Sequence, residues 1–164
     1  LATITFVVKL KKPTRVKHKQ WVEDQLEYTK CLNWCIQEVY MGERLSSKDV
    51  PFNLMSCIKN EAIRRAKKAV SDYRKGKAKN LPVFKGYQSI SINNQNWDTQ
   101  TKNGRWYIGF TSSLGKLYLP VIESEEVKKY FYFFDLLPCH LRGIGFQCPC
   151  SDWSLHFLSC CTNF

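Results

Sequence analysis

From Ala2 to Leu10 the chain alternates, with Ile4, Phe6, Val8 and Leu10 on one side and Thr3, Thr5, Val7 and Lys9 on the other. This period of two predicts a half-buried strand, closed by Lys11, Lys12 and Pro13. The period then becomes helical. Thr14 to Met41 carries Val22, Leu26, Thr29, Leu32, Ile36, Val39 and Tyr40 at helical spacing, and Gly42 is its terminator. Glu43–Phe52, with Ser46, Ser47, Asp49 and Pro51, reads as a loop. It is too long for the tight turn of a helix-turn-helix motif. From Asn53 onward a second amphipathic helix stacks Leu54, Ile58, Ala62, Ala66, Ala69 and Tyr73 on one face. Gly76 stops it and Pro82 blocks a restart.

After Phe84 the period returns to two. Ser89–Asn93, Arg105–Phe110 and Lys116–Val121 predict an antiparallel meander. Asn103-Gly104 is a strong hairpin signal, because both residues tolerate positive φ, and Gly115 serves the next turn. The N-terminal strand is expected to join this meander across the helices. Glu123–Lys129 reads as a short helix and Tyr130–Leu137 as a dense apolar run. From Cys139 to Phe164 no steady period is visible. The expected fold class is α+β: a small antiparallel β-barrel or curled sheet, interrupted by an inserted pair of long helices, with an irregular C-terminal tail. Its parts are residues 1–12 (first strand), 13–80 (helical insert), 81–122 (meander) and 123–164 (tail).

Charge sharpens this picture. Lys and Arg number 25 against 14 Asp and Glu, a net +11 that favours a polyanionic partner. The excess gathers on the second helix, where Asn53, Ser56, Asn60, Arg64, Lys67, Ser71 and Arg74 form a stripe opposite the apolar one. Arg65, Lys68, Lys75, Lys77 and Lys79 add to it, against Glu61 and Asp72 alone. Most charge runs are solvated helix faces; excess positive charge without interleaved Glu favours binding. No stretch is long and apolar enough to span a bilayer, and the first twelve residues lack the apolar core of a secretory signal. Leu1 is not a start methionine, so an upstream beginning is expected. Three of the eight cysteines, Cys31, Cys35 and Cys57, lie within helical patterns, where a thiol acts as a small hydrophobe. With no secretory signal a reducing, cytoplasmic setting is expected.

Four short segments, TITFVVKLKKPT, Cys31-Leu32-Asn33-Trp34, LPVFKGYQSISINNQN at Leu81–Asn96 and GKLYLP at Gly115–Pro120, resemble in order and spacing the N-terminal half of the TnpB (OrfB) proteins of insertion sequences. Those are transposon-encoded RNA-guided DNA endonucleases. The resemblance covers residues 1–122. It implies a wedge-like barrel with a helical recognition insert that holds a guide RNA scaffold and helps read a short motif beside the DNA target. The partners so implied are structured RNA and double-stranded DNA. Phosphate contacts would come from Arg64, Arg65, Lys67, Lys68, Arg74, Lys75 and Lys85. Asn53, Ser56 and Asn60 are suited to reading base edges, and Gln95 stands where the family carries a polar residue near nucleic acid.

The family's enzymatic half uses separated carboxylates that hold divalent metal ions, the first in an Asp-x-Gly context. No Asp-x-Gly occurs here: Asp135 precedes Leu136 and Asp152 precedes Trp153. Paired Cys-x-x-Cys knuckles are also missing. No catalysis and no cofactor are therefore expected, and the leading reading is a nucleic-acid-binding fragment of a TnpB-type protein. The other readings are the front half of a split endonuclease, active with a second polypeptide, or a non-functional truncated relic. A shift of reading frame after about Tyr130 would account for the tail. Cys148-Pro-Cys150 with His140 and His156 is a weak zinc candidate, because tetrahedral sites favour two residues between cysteines. Among the tryptophans, Trp97, beside Asn96, is the candidate for stacking on a base.

Overall fold

A computed structural model of the chain describes residues 2–92, 96–125, 127–129, 144–148 and 154–161. Strand β1 (Ala2–Lys9) leads into helix α1 (Arg15–Met41), and a loop joins it to helix α2 (Ser56–Arg74). The strands that follow are β2 (Ile90–Ile92), β3 (Trp97–Lys102), β4 (Arg105–Ser112), β5 (Gly115–Pro120), β6 (Ile144–Cys148) and β7 (Ser154–Cys161). They form a four-stranded sheet in the order β1-β7-β6-β2 and a three-stranded sheet in the order β3-β4-β5. Every ladder is antiparallel.

Local chemistry sets the helix ends. Thr14 caps α1, its hydroxyl accepting from the Lys17 amide. Gly42, at φ 103°, ends it: the Gly42 amide donates to the Val39 carbonyl and the Glu43 amide to that of Glu38. Helix α2 ends in the same way, with Gly76 at φ 70° and bonds from Gly76 to Tyr73 and from Lys77 to Asp72. Both satisfy otherwise orphaned carbonyls, and both use the left-handed conformation that glycine adopts at no steric cost.

One core unites helices and sheets. Helix α1 buries Trp21, Tyr28, Cys31, Leu32, Cys35 and Ile36, and α2 buries Ile58, Ala62, Ile63, Ala66 and Val70. The two alanines let the helices approach closely. Helix α2 also packs on β2, whose Ile90 and Ile92 are fully buried. Trp21 of α1 meets Phe110 of β4 edge to face, with ring centroids 4.7 Å apart. The buried stripe of α1 is rotated from the expected one: Leu26 is exposed, while Val22 and Val39 are half-buried.

The α+β class holds, but four expectations about the sheets change. First, the sheets are open and do not close into a barrel. β1 is taken up along its length by β7, from Ala2 opposite Cys161 to Lys9 opposite Ser154. Among the described residues, its ladder contact with the meander is the isolated Leu10–Val121 bridge just beyond its end, flanked by bonds from Lys11 to the Pro120 carbonyl and from Ile122 to that of Lys9. Second, residues 89–93 do not begin the meander, because β2 pairs with β6. Third, the hairpin partner of β4 is β3, joined through Asn103 (φ 51°) and Gly104 (φ 69°), the paired positive angles of a type I′ turn. Fourth, the tail is not irregular throughout: β6 and β7 supply the middle of the four-stranded sheet.

Candidate functional site

The outward side of α2 follows from its own period. With Ile58, Ala62, Ile63, Ala66 and Val70 buried, the residues a half-turn away face solvent. Ser56, Asn60, Arg64, Lys67 and Arg74 are exposed and Ser71 is half-buried. Lys68 and Lys75 flank this stripe and are exposed as well. The cations gather in the C-terminal half of the helix, and Arg74, in the last turn, also complements the helix dipole. Lys67, Ser71, Arg74 and Lys75, with Val39 and Val70, line a groove of about 400 Å³ between the ends of the two helices.

The candidate residues divide by what they touch. Lys67, Lys68, Lys75 and Lys85 form no ion pair among the described residues. Arg64 is exposed but grips Glu61 through two bonds of 2.8 and 2.6 Å. Arg74 donates to the Tyr40 carbonyl at 2.9 Å, one of the last carbonyls of α1.

Arg65 departs from the expected role of phosphate ligand. Its guanidinium is turned inward, donating to the Tyr28 hydroxyl at 3.1 Å and the Ser89 carbonyl at 3.2 Å. It also lies over the rings of Tyr28 and Phe84, 5.8 and 5.3 Å from their centroids. Burial pushes the Tyr28 phenol up to about 12, and the neighbouring Arg65 charge offsets only part of that. Tyr28 therefore stays a neutral acceptor for Arg65.

Asn53 lies ahead of the first turn of α2, since the helix begins at Ser56 with Met55 as its cap. It is exposed beside that end but does not share the helical stripe with Ser56 and Asn60. Gln95 lies outside the described residues, as do the side chains of the zinc candidates. Trp97 is no stacking platform: it is 7 % exposed, within the core, and faces Phe110 across the β3–β4 ladder.

Two side chains of α1 that were not among the candidate site residues hold the segment carrying Lys85. The Asn33 amide donates to the Phe84 carbonyl at 2.8 Å and accepts from the Phe84 amide at 2.9 Å, as a neighbouring strand would. Thr29 donates to the Gly86 carbonyl at 2.9 Å. Asn33 and Phe84 belong to two of the four segments that carry the resemblance, so those two meet in space. The other two meet through the bond from the Lys11 amide to the Pro120 carbonyl. Sequence reading finds such a clamp only where a polar residue interrupts a buried helical stripe.

Buried polar chemistry elsewhere is structural. Asp24 accepts from both the amide and the hydroxyl of Ser113, and Gln20 donates to the Ser112 hydroxyl, so α1 grips the β4–β5 turn. Burial holds the Asp24 carboxyl above the usual aspartate range. The thiol of Cys31 is pushed up by its bond with Cys35 and by burial, which suits an inert core thiol. Among the described residues, no group of three His, Cys, Asp or Glu could hold a metal ion, and no helix is long and apolar enough to cross a membrane. No family model and no curated protein matches the chain.

Proposed function

We propose that the chain binds nucleic acid through the outer side of α2, with Lys67, Lys68 and Lys75 on phosphates and Ser56 and Asn60 toward base edges. One observation carries this reading: among the described residues, the exposed lysines have no acidic partner, on a helix whose opposite side is core. Arg64 and Arg74 contribute charge from positions partly fixed by Glu61 and Tyr40. The nucleic acid that fits is a duplex or folded hairpin, whose regularly spaced phosphates match a rigid helical row of cations. The resemblance to TnpB-type proteins supports a finer reading, in which the chain holds a structured RNA and contacts double-stranded DNA as the N-terminal part of such a protein. The pairwise meeting of the four resembling segments is consistent with it.

The test is a titration of a labelled RNA hairpin and a labelled DNA duplex with the whole chain, at salt from about 50 to about 200 mM. Phosphate contacts release counterions, so about four contacts predict a fall in affinity of roughly a hundredfold over that range. Absence of binding at the lowest salt would overturn the reading.

A further inference from the structure

The three-stranded sheet has a second face, opposite the one that packs on Trp21. Register places Asp98, Gly109 and Tyr118 side by side across its strands, with Gln100, Tyr107 and Pro120 in the next row. Gly109 is in the middle of β4, where a side chain would normally stand. A Cβ there would overlap Cδ1 and Cε1 of Tyr118 and the Asp98 carboxylate. The missing side chain thus lets the Tyr118 ring lie flat across the sheet. The ring is also pinned: its hydroxyl donates to Asp98 Oδ2 at 3.2 Å, and Lys116 holds the same oxygen at 2.6 Å.

We propose that this face binds single-stranded nucleic acid, with an unpaired base stacked on Tyr118 and a neighbour on Tyr107; the proposal rests on the nucleic-acid reading above and assigns it a second surface. Both tyrosines are half-exposed, and their diagonal positions on adjacent strands put them within reach of successive bases. A ring already fixed in place loses little freedom on stacking. Lys102 and Arg105, exposed at the hairpin end, supply cations along the same face. Its carboxylate, Asp98, is already matched by Lys116. A duplex cannot use such a platform, because its bases are stacked on one another. Stacking on aromatic rings beside a basic track is the sequence-tolerant chemistry of single-strand binding. A proline-rich peptide would also suit exposed tyrosines, but the basic surround favours a polyanion.

The experiment compares a labelled, unstructured oligothymidine of about ten nucleotides with a DNA duplex, using fluorescence anisotropy on the full chain. Tyr118→Ala is expected to weaken oligothymidine binding about tenfold and leave duplex binding unchanged. Tyr118→Phe, which keeps the ring, stays within about twofold of the parent protein. If Tyr118→Ala does not fold, the double variant Lys102→Gln with Arg105→Gln reads the same face, with the same selective loss expected. Suppose the Tyr118 and Lys102/Arg105 variants bind oligothymidine like the parent, while neutralising Lys67, Lys68 and Lys75 abolishes it. The sheet proposal is then wrong and the α2 reading stands. Tyr118-dependent capture of a polyproline peptide without oligothymidine binding overturns it in favour of a peptide. If neither oligothymidine nor duplex binds the parent, both readings fall.

Discussion

Helices α1 and α2 lie side by side and both carry many polar residues, yet they spend them differently. α1 leaves Lys19, Glu23 and Lys30 to solvent but turns a set of other polar groups toward the protein. Lys17 donates to the Tyr118 carbonyl, Gln20 and Asp24 hold the β4–β5 turn, and Thr29 and Asn33 hold residues 84–86. α2 turns inward only from its margins, through Lys59 to the Val50 carbonyl, Arg65 to Tyr28 and Arg74 to Tyr40. Between those margins Lys67 and Ser71 border Val39 of α1 in the groove, and among the described residues Ser56, Asn60 and Lys67 hydrogen-bond to no other element. The difference lies in what crosses each helix: chain with unpaired backbone groups passes over α1, and such groups need partners. Among the described residues, no comparable segment passes over the outer side of α2. Polar residues of similar composition thus act as internal mortar on one helix and are left largely to solvent on the other.

The comparison can be broken most forcefully at Asn33. Asn33→Ala leaves the amide and carbonyl of Phe84 without their partners, at a cost of about 2–3 kcal/mol. For a chain of this size that corresponds to a fall in melting temperature of roughly 4–12 °C, measurable by thermal denaturation. Loss of order around Lys85 should accompany it as faster amide exchange at residues 84–86.

A smaller effect is expected at Asp24. Its folded-state pKa is raised by burial, so protonation favours the folded state. That contribution is fully present below the ordinary aspartate pKa and is lost as pH rises through the higher folded value. Denaturant melts of the parent and of Asp24→Asn, compared pH by pH, should show the parent losing stability relative to the variant across that window. Parallel curves would contradict the assignment.

The smallest change concerns the boundary between the two uses of charge. Glu61→Gln releases Arg64 from an exposed pair, and such pairs contribute at most about 1 kcal/mol. Stability should hardly move, while affinity for duplex rises about two- to threefold, because a repelling carboxylate is gone and Arg64 is released. Unchanged or weaker binding would mean that Arg64 does not face the ligand.

Much of the helical architecture was legible because its signals are local. Thr14 marks an end through its side-chain hydroxyl, Gly42 and Gly76 through their own backbone preference, and Asn103-Gly104 dictates its turn. The core side of α2 was legible only in part. A strict single row omits Ile63 and Val70, whereas the buried stripe of a globular helix is wider. Strand β3 was missed because WDTQTK shows polar residues on both faces, with threonines standing where aliphatic residues would announce a strand. The pairing of β1 with β7 joins residues at opposite ends of the chain, and no local period encodes such a partner. At the site, composition located the cationic stripe, but not which cations were already engaged. Arg64, Arg65 and Lys67 read alike in sequence; only packing reveals that one is paired, one is half-buried against aromatic rings and one is left to solvent.

The central claim is that the lysines on the outer side of α2 serve a polyanion and not the fold. Its most direct test is the salt dependence of duplex affinity for the parent and for a triple variant, Lys67→Gln, Lys68→Gln and Lys75→Gln, with thermal melts run in parallel. Glutamine matches lysine closely in helix propensity, so stability should stay within about 0.5 kcal/mol. The slope of log affinity against log salt should shrink by about 2–3, and affinity at low salt should fall by more than tenfold. An unchanged slope with unchanged affinity would show that these lysines are a solvated helix face and that any binding occurs elsewhere.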